Sequence, residues 1–341
     1  MDRFMSRLGA RSTDRRHLVS AGVISAGIAG LGLATARAHQ LASPVAASEI
    51  PVSGDPVPEL SDFDTLVTGV MEKWSLPGGQ LAIISGDQVL LDHGYGMADV
   101  EAGEQVAPEM TFRIASSSKP ITGVAIQHLI DDGALTLDTP VFPLLSLEPP
   151  ANATPDPRLE SITVEQLLVH SGGWNSATGY DPQYLPWPLV ASHVLAAENP
   201  ASAETIIRFM LGQPLDFDPG TLSAYSNFGY NVLGRVIEHL TGKTYEQYVL
   251  DEIAAPLGIT DWKIGGTYLE ERLPGEVRYY GAPDQGLRIG VTSGEGYVPV
   301  GYGSFSLPSL DAHGGWISSA HDLARFALGI DGTWGPALLT P

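Results

Sequence analysis

From Lys119 to Ile130 the chain carries apolar side chains around most of a helical circumference. Ile121, Val124, Ala125, Ile126, Leu129 and Ile130 fall on most sides, and Gly133 follows where a helix should stop. A helix that is apolar nearly all round must be buried, so the rest of the chain has to wrap a core around it. Its opening turn, Ser116-Ser117-Ser118-Lys119, is polar and is therefore expected inside the protein or on the floor of a cleft. A second helical pattern begins about a hundred residues later, directly after Tyr225-Ser226-Asn227. There Tyr230, Leu233, Val236, Ile237 and Leu240 keep a three-to-four residue spacing.

These two polar openings carry chemistry. Residues three apart on a helix share a face, so Lys119 projects alongside Ser116. A partly desolvated lysine loses its preference for the charged form and can accept a hydroxyl proton, which makes the serine a nucleophile without any histidine. At a helix N-terminus, unpaired N–H groups and the helix dipole would stabilise the oxyanion of acyl transfer. Ser-x-x-Lys alone is a weak signal, since a capped, solvated helix start looks the same. However, the chain holds only four lysines (Lys73, Lys119, Lys243 and Lys263), and only Lys119 has a serine three positions before it.

From about Phe63 onward the chain resembles the serine β-lactamase and penicillin-binding-protein superfamily, closest to its class C β-lactamase, D,D-peptidase and family VIII esterase branch. The resemblance rests on the two openings, on LLVHSGGW at Leu167 to Trp174, and on HGGWISSAHDLARFAL at His313 to Leu328. It implies an α/β (α+β) fold, with an antiparallel sheet flanked by helices and a mainly helical subdomain. It makes Ser116 the acylated nucleophile, Lys119 its proton acceptor, Tyr225 a partner in proton transfer and Asn227 a residue that binds the substrate's acyl side. Lys119 and Tyr225 then form one coupled pair, the phenol titrating lower beside an ammonium and the amine higher beside a phenolate.

The implied reaction is acyl transfer through an acyl-enzyme, on an ester, an amide, a β-lactam or a D-amino-acid peptide. The alternative is a non-catalytic relative that binds wall peptide or another ligand. The family also carries a Lys-Thr-Gly or His-x-Gly strand after the segment matched by His313 to Phe326. Only fifteen residues follow Phe326 and none supplies it, so the expectation is a chain truncated at its C-terminus, lacking sheet strands. Lys243-Thr244 belongs to a helix start, Thr292-Ser293-Gly294 comes too early, and His313-Gly314-Gly315 matches a loop.

Other hydrolase classes lack their signatures. There is no Gly-x-Ser-x-Gly elbow and no His-Glu-x-x-His, and the nine histidines are scattered, so no metal and no cofactor is expected. Gly242-Lys243-Thr244 lacks the earlier glycine of a phosphate loop, and Asp216 and Asp218 before Pro219-Gly220 suggest a turn rather than a glycosidase pair.

Residues 1–38 differ in kind. Arg15-Arg16 precedes an uncharged Ala/Gly-rich run, and Ala36-Arg37-Ala38 offers a cleavage site, the pattern of a twin-arginine export leader. An uncleaved membrane anchor is the alternative. Residues 39–58 read as a linker and 59–341 as the hydrolase-like domain. Taking the leader's six arginines and two aspartates from the chain's 18 basic and 39 acidic residues leaves 12 and 37, a net charge of −25. Such a surface repels nucleic acid and anionic membranes, so both are poor partners. The resemblance implies a small-molecule substrate as the partner, with no nucleic acid and no stable membrane insertion after cleavage of the leader.

Along the domain, Leu60 to Trp74 predicts an amphipathic helix, and GQLAIIS and QVLLDHGY flank a two-residue turn at Gly86-Asp87. Thr163 with Gln166 and Thr244 with Gln247 read as capping boxes. The Gly- and Tyr-rich stretch from Ile264 to Ser309 has no period. With Trp174, Tyr180, Tyr184, Trp187, Tyr279, Tyr280 and Tyr302, it offers aromatic side chains for a cleft rim, although packing explains any one of them.

Overall fold

The computed structural model describes residues 50–178, 181–282 and 284–339; the expected leader and most of the expected linker lie outside them. The described chain opens with strands β1 (Val52–Ser53), β2 (Gly78–Ser85), β3 (Gln88–Asp99) and β4 (Glu104–Gln105), with α1 (Ser61–Trp74) between β1 and β2. Strand β5 (Phe112–Arg113) leads to a run of helices: α2 (Lys119–Asp131), α3 (Val141–Leu145), α4 (Val164–Leu168), α5 (Trp187–Leu195), α6 (Ala203–Met210), α7 (Asn227–Thr241) and α8 (Tyr245–Val249). Strands β6 (Lys263–Ile264), β7 (Leu287–Ile289) and β8 (Tyr297–Pro299), helix α9 (Asp311–Gly314), strand β9 (Trp316–Ser318) and helix α10 (Ala320–Gly329) complete the order.

The architecture is the mixed α/β fold that the sequence predicts, with antiparallel sheets beside a helical region. One sheet runs β1-β3-β2 with β4 on β3, a second runs β5-β9-β6, and β7 pairs with β8. Register places Ser85 opposite Gln88, so Gly86-Asp87 is the expected tight turn, with Gly86 at φ 61°. Gln80 ties the first sheet to the loop before β5 and to the start of α10. Its amide nitrogen donates to the carbonyls of Ala107, Pro108 and Met110, and its oxygen accepts from Ala320 N.

Three local expectations change. Val52–Ser53, assigned to the linker, pairs with Tyr95 and Gly94 of β3, because alternation in so short a strand gives no sequence signal. Helix α1 stops at Ser75, a left-handed cap at φ 53°, before the Pro-Gly-Gly run is reached. Thr163 and Gln166 form the full capping box, but at α8 only Thr244 caps, accepting from Gln247 N, while the Gln247 side chain turns to Asp251. The apolar stripe of α1 also stays open: Phe63, Leu66, Val70 and Trp74 are 40–63% exposed, and only Met71 of that helix is buried. The helix is held instead by Asp64, which accepts from Tyr95 Oη at 2.7 Å and His93 Nδ1 at 2.8 Å.

The core lies where the sequence predicts it. Every residue of α2 from Lys119 to Gln127 is buried, and α7 packs beside it with Val232, Leu233, Val236 and Ile237 inaccessible. A buried polar chain ties this pair to β9. Trp316 Nε1 donates to Tyr245 Oη at 3.0 Å, and Thr122 Oγ1 donates to Ala312 O at 2.6 Å. Tyr245 must therefore donate to Thr122 across their 2.7 Å contact, giving one consistent direction of four linked groups. Tyr245→Phe should lower unfolding stability by about 1–3 kcal/mol, because it leaves the Trp316 N–H and Thr122 without their shared partner. A lower urea midpoint at unchanged slope is the expected reading.

Candidate active site

Strand β5 is held against β9, and the chain must turn from it into α2 within a few residues. It does so through Ala115, at a left-handed φ of 47°, and a 3₁₀ turn over Ala115–Ser118. Non-glycine residues adopt that conformation at an energetic cost, and such positions cluster at functional sites. The expected α-helical first turn is thus a 3₁₀ turn, in which residues i and i+3 eclipse more closely. Lys119 begins α2, with Pro120 where a missing N–H is harmless. Lys119 Nζ comes to 3.3 Å from Ser116 Oγ.

Ser226 caps α7, accepting from Gly229 N. This fixes Tyr225 just outside the helix and Asn227 at its first position, both facing α2. Tyr225 Oη lies 2.7 Å from Ser116 Oγ and 2.6 Å from Lys119 Nζ. Asn227 Oδ1 accepts from Lys119 Nζ at 2.7 Å, and so does the carbonyl of His313 at 2.9 Å. All four residues singled out in the sequence therefore converge on one point.

The hydrogen bonds decide how Lys119 can act. Asn227 Nδ2 donates to Asp181 at 2.7 Å; a carboxylate only accepts, so the amide oxygen must face Lys119. That oxygen and the His313 carbonyl can only accept. A neutral lysine has two N–H groups and one lone pair. With both N–H groups on those acceptors, the lone pair is left for Tyr225 and Ser116.

Burial pushes the Lys119 amine down to about 7, and the Asp181 carboxylate opposes this only in part. Burial also raises the Tyr225 phenol above its usual value, helped by Asp181 and opposed by the Ser116 hydrogen bond. The sequence predicted the reverse for this pair, each partner stabilising the other's charge. Desolvation works against both charges, so the amine titrates near neutrality instead of above its usual range and the phenol stays neutral.

Three contributors were not visible in the sequence. The His170 ring lies 4.8 Å from that of Tyr225, and its Nδ1 faces Ser226 N at 3.3 Å. Burial and the neighbouring Lys119 hold it down to about 4, so it is a neutral acceptor that fixes Tyr225. His313 contributes its main-chain carbonyl from α9, not a strand of the third motif, and its buried ring sits far below the usual imidazole range because of burial. Asp181 completes the set.

Of the aromatic rim, Trp174 packs in the core against Phe142 and Phe228, and Trp187 stacks on Phe209. Arg113 lies over the neighbouring rings of Tyr279 and Tyr302, and Tyr280 donates to Glu101. Tyr184 is 41% exposed as a residue, yet desolvation around its phenol, with Asp181, pushes it up to about 12, and it is the one with an electrostatic link to the cluster. Tyr180 lies outside the described residues. Asp218 pairs with Arg158 in a turn. Among the described residues no acidic or histidine cluster suits a metal, and no helix is long and apolar enough to cross a membrane.

A family model described as Beta-lactamase matches residues 63–339. Protein flp of Staphylococcus aureus strain MW2 is 29% identical over 195 residues, covering 57% of this chain and 36% of that protein. The chain thus spans about a third of the length of that curated relative. The octameric penicillin-binding protein homologue from Pyrococcus abyssi is 27% identical with a TM-score of 0.57, covering 82% of this chain and 58% of its own. The D-amino acid amidase from Ochrobactrum anthropi SV3, solved with L-phenylalanine amide, shares the fold with a TM-score of 0.59 at 24% identity, over 81% of this chain and 72% of that one. With a family model spanning most of its length and the same architecture in these relatives, the chain belongs to the Beta-lactamase family.

Proposed function

We propose that the protein is a serine hydrolase that forms an acyl-enzyme on Ser116, with Lys119 and Tyr225 moving the proton. The observation that carries this reading is the placement of Ser116 Oγ within 2.7 Å of a phenol and 3.3 Å of a desolvated amine. The two contacts through Tyr225 are shorter than the direct one to Lys119. As Ser116 Oγ attacks the substrate carbonyl, its proton passes to Tyr225 Oη, and the Tyr225 proton passes to the Lys119 lone pair. The ammonium so formed returns a proton along the same path to the leaving oxygen or nitrogen. Water then cleaves the ester, its proton passing through the regenerated base to the departing Ser116 Oγ, and the acid is released.

The substrate class is an ester, an amide, a β-lactam or a D-amino-acid peptide, and Asn227 lies on the acyl side. The paired arginines and the uncharged run of residues 1–38 support export by a twin-arginine route, followed by a linker and the hydrolase domain.

Intact-mass analysis after exposure to a fluorophosphonate or a penicillin tests the reading. A single adduct on Ser116, absent from Ser116→Ala, is expected. A folded protein that binds penicillin without an adduct would favour the non-catalytic alternative.

A further inference from the structure

Resting on that reading, we propose that Asp181 makes the acyl side of the Ser116 site selective for substrates bearing an ammonium group next to the scissile carbonyl. Asn227, the acyl-side residue, has two N–H groups, and one is committed to Asp181 at 2.7 Å. The donor that would greet a neutral acyl-side carbonyl is therefore partly occupied, and a carboxylate stands beside it. Asp181 is only partly buried, and its other oxygen is held by Gln183 N at 3.2 Å, so the side chain is fixed while staying accessible.

The groups facing it carry little compensating charge. Tyr184 and Tyr225 are phenols raised by burial, His170 is neutral, and Lys119, one amide group away, is held down to about 7 by burial and so carries less than a full charge. Asp181 supplies the carboxylate of this set, in partly desolvated surroundings where attraction to a cation is stronger than in water. An ammonium on the carbon next to the carbonyl would meet this carboxylate. An N-acylated analogue brings no charge and adds bulk at the same point.

Protection of Ser116 from a fluorophosphonate by alaninamide, of either hand, and by N-acetylalaninamide tests this on the full chain without requiring turnover. At pH 7 the better free-amine ligand should halve the labelling rate at a concentration at least tenfold lower than its N-acetyl counterpart. That preference should fade as pH rises past the α-amino pKa of about 8. Asp181→Asn should bring the ratio to within about twofold of unity, and Asp181→Glu should restore part of it. Equal protection by the two ligands in the wild type, or a preference that survives in Asp181→Asn, would overturn the proposal. If Asp181→Asn fails to fold, the wild-type ratio and its pH dependence decide. Absence of any labelling of wild-type Ser116 would instead remove the acyl-enzyme reading itself.

Discussion

Replacing Ser116 with alanine is expected to lower hydrolysis of an activated ester by about 10⁴-fold or more, with folding unchanged. The hydroxyl is the only atom in the cluster positioned to bond to a carbonyl carbon. Lys119, Tyr225 and Asn227 are engaged with one another and would remain so around the shorter side chain. What survives in Ser116→Ala would be binding and polarisation without a covalent intermediate. Stopped-flow measurement with a p-nitrophenyl ester should show a burst of phenol in the wild type and none in the variant. A variant that retains a tenth of the wild-type rate would show that another group carries the acyl transfer.

The second large effect belongs to Lys119. Because burial places its titration at about 7, kcat/KM should rise with pH through that value as the lone pair becomes available. Lys119→Met should lower kcat/KM by roughly 10²–10⁴-fold and abolish the acid limb. The same residue predicts a stability effect of defined sign. Its folded pKa of about 7 lies below the ordinary lysine value of 10.5, so between those values the unfolded chain binds more protons. Stability gains a contribution as pH rises across that window, and Lys119→Met should remove that part of the slope. Urea midpoints for both proteins at pH 7 and pH 10 would display the difference. An unchanged acid limb in Lys119→Met would assign the ionisation elsewhere.

Much of this arrangement was legible because its parts have local signatures. The all-round apolar character of α2 forced burial of its polar opening, and the helical pattern that follows Tyr225-Ser226-Asn227 set the second half of the site at the mouth of α7. The Gly86-Asp87 turn and the Thr163 capping box have equally local chemistry. What escaped was either non-local or lacked a side-chain pattern. A main-chain carbonyl such as that of His313 looks like any other in sequence. Asp181 reaches Asn227 from a loop without period, 46 residues away. The charge states of Lys119 and Tyr225 followed from how deeply both were enclosed, which pairwise reasoning about neighbouring charges omits.

The placement of the reactive groups on α2 and at the start of α7 has one more consequence. Among the described residues each of these helices buries ten of its residues, so amide protons along their buried turns should exchange with solvent only through near-complete opening of the domain. The nucleophile, its base and their shared partner are then anchored beside slowly exchanging backbone. Thermal inactivation should follow global melting, with no earlier loosening confined to the reaction centre.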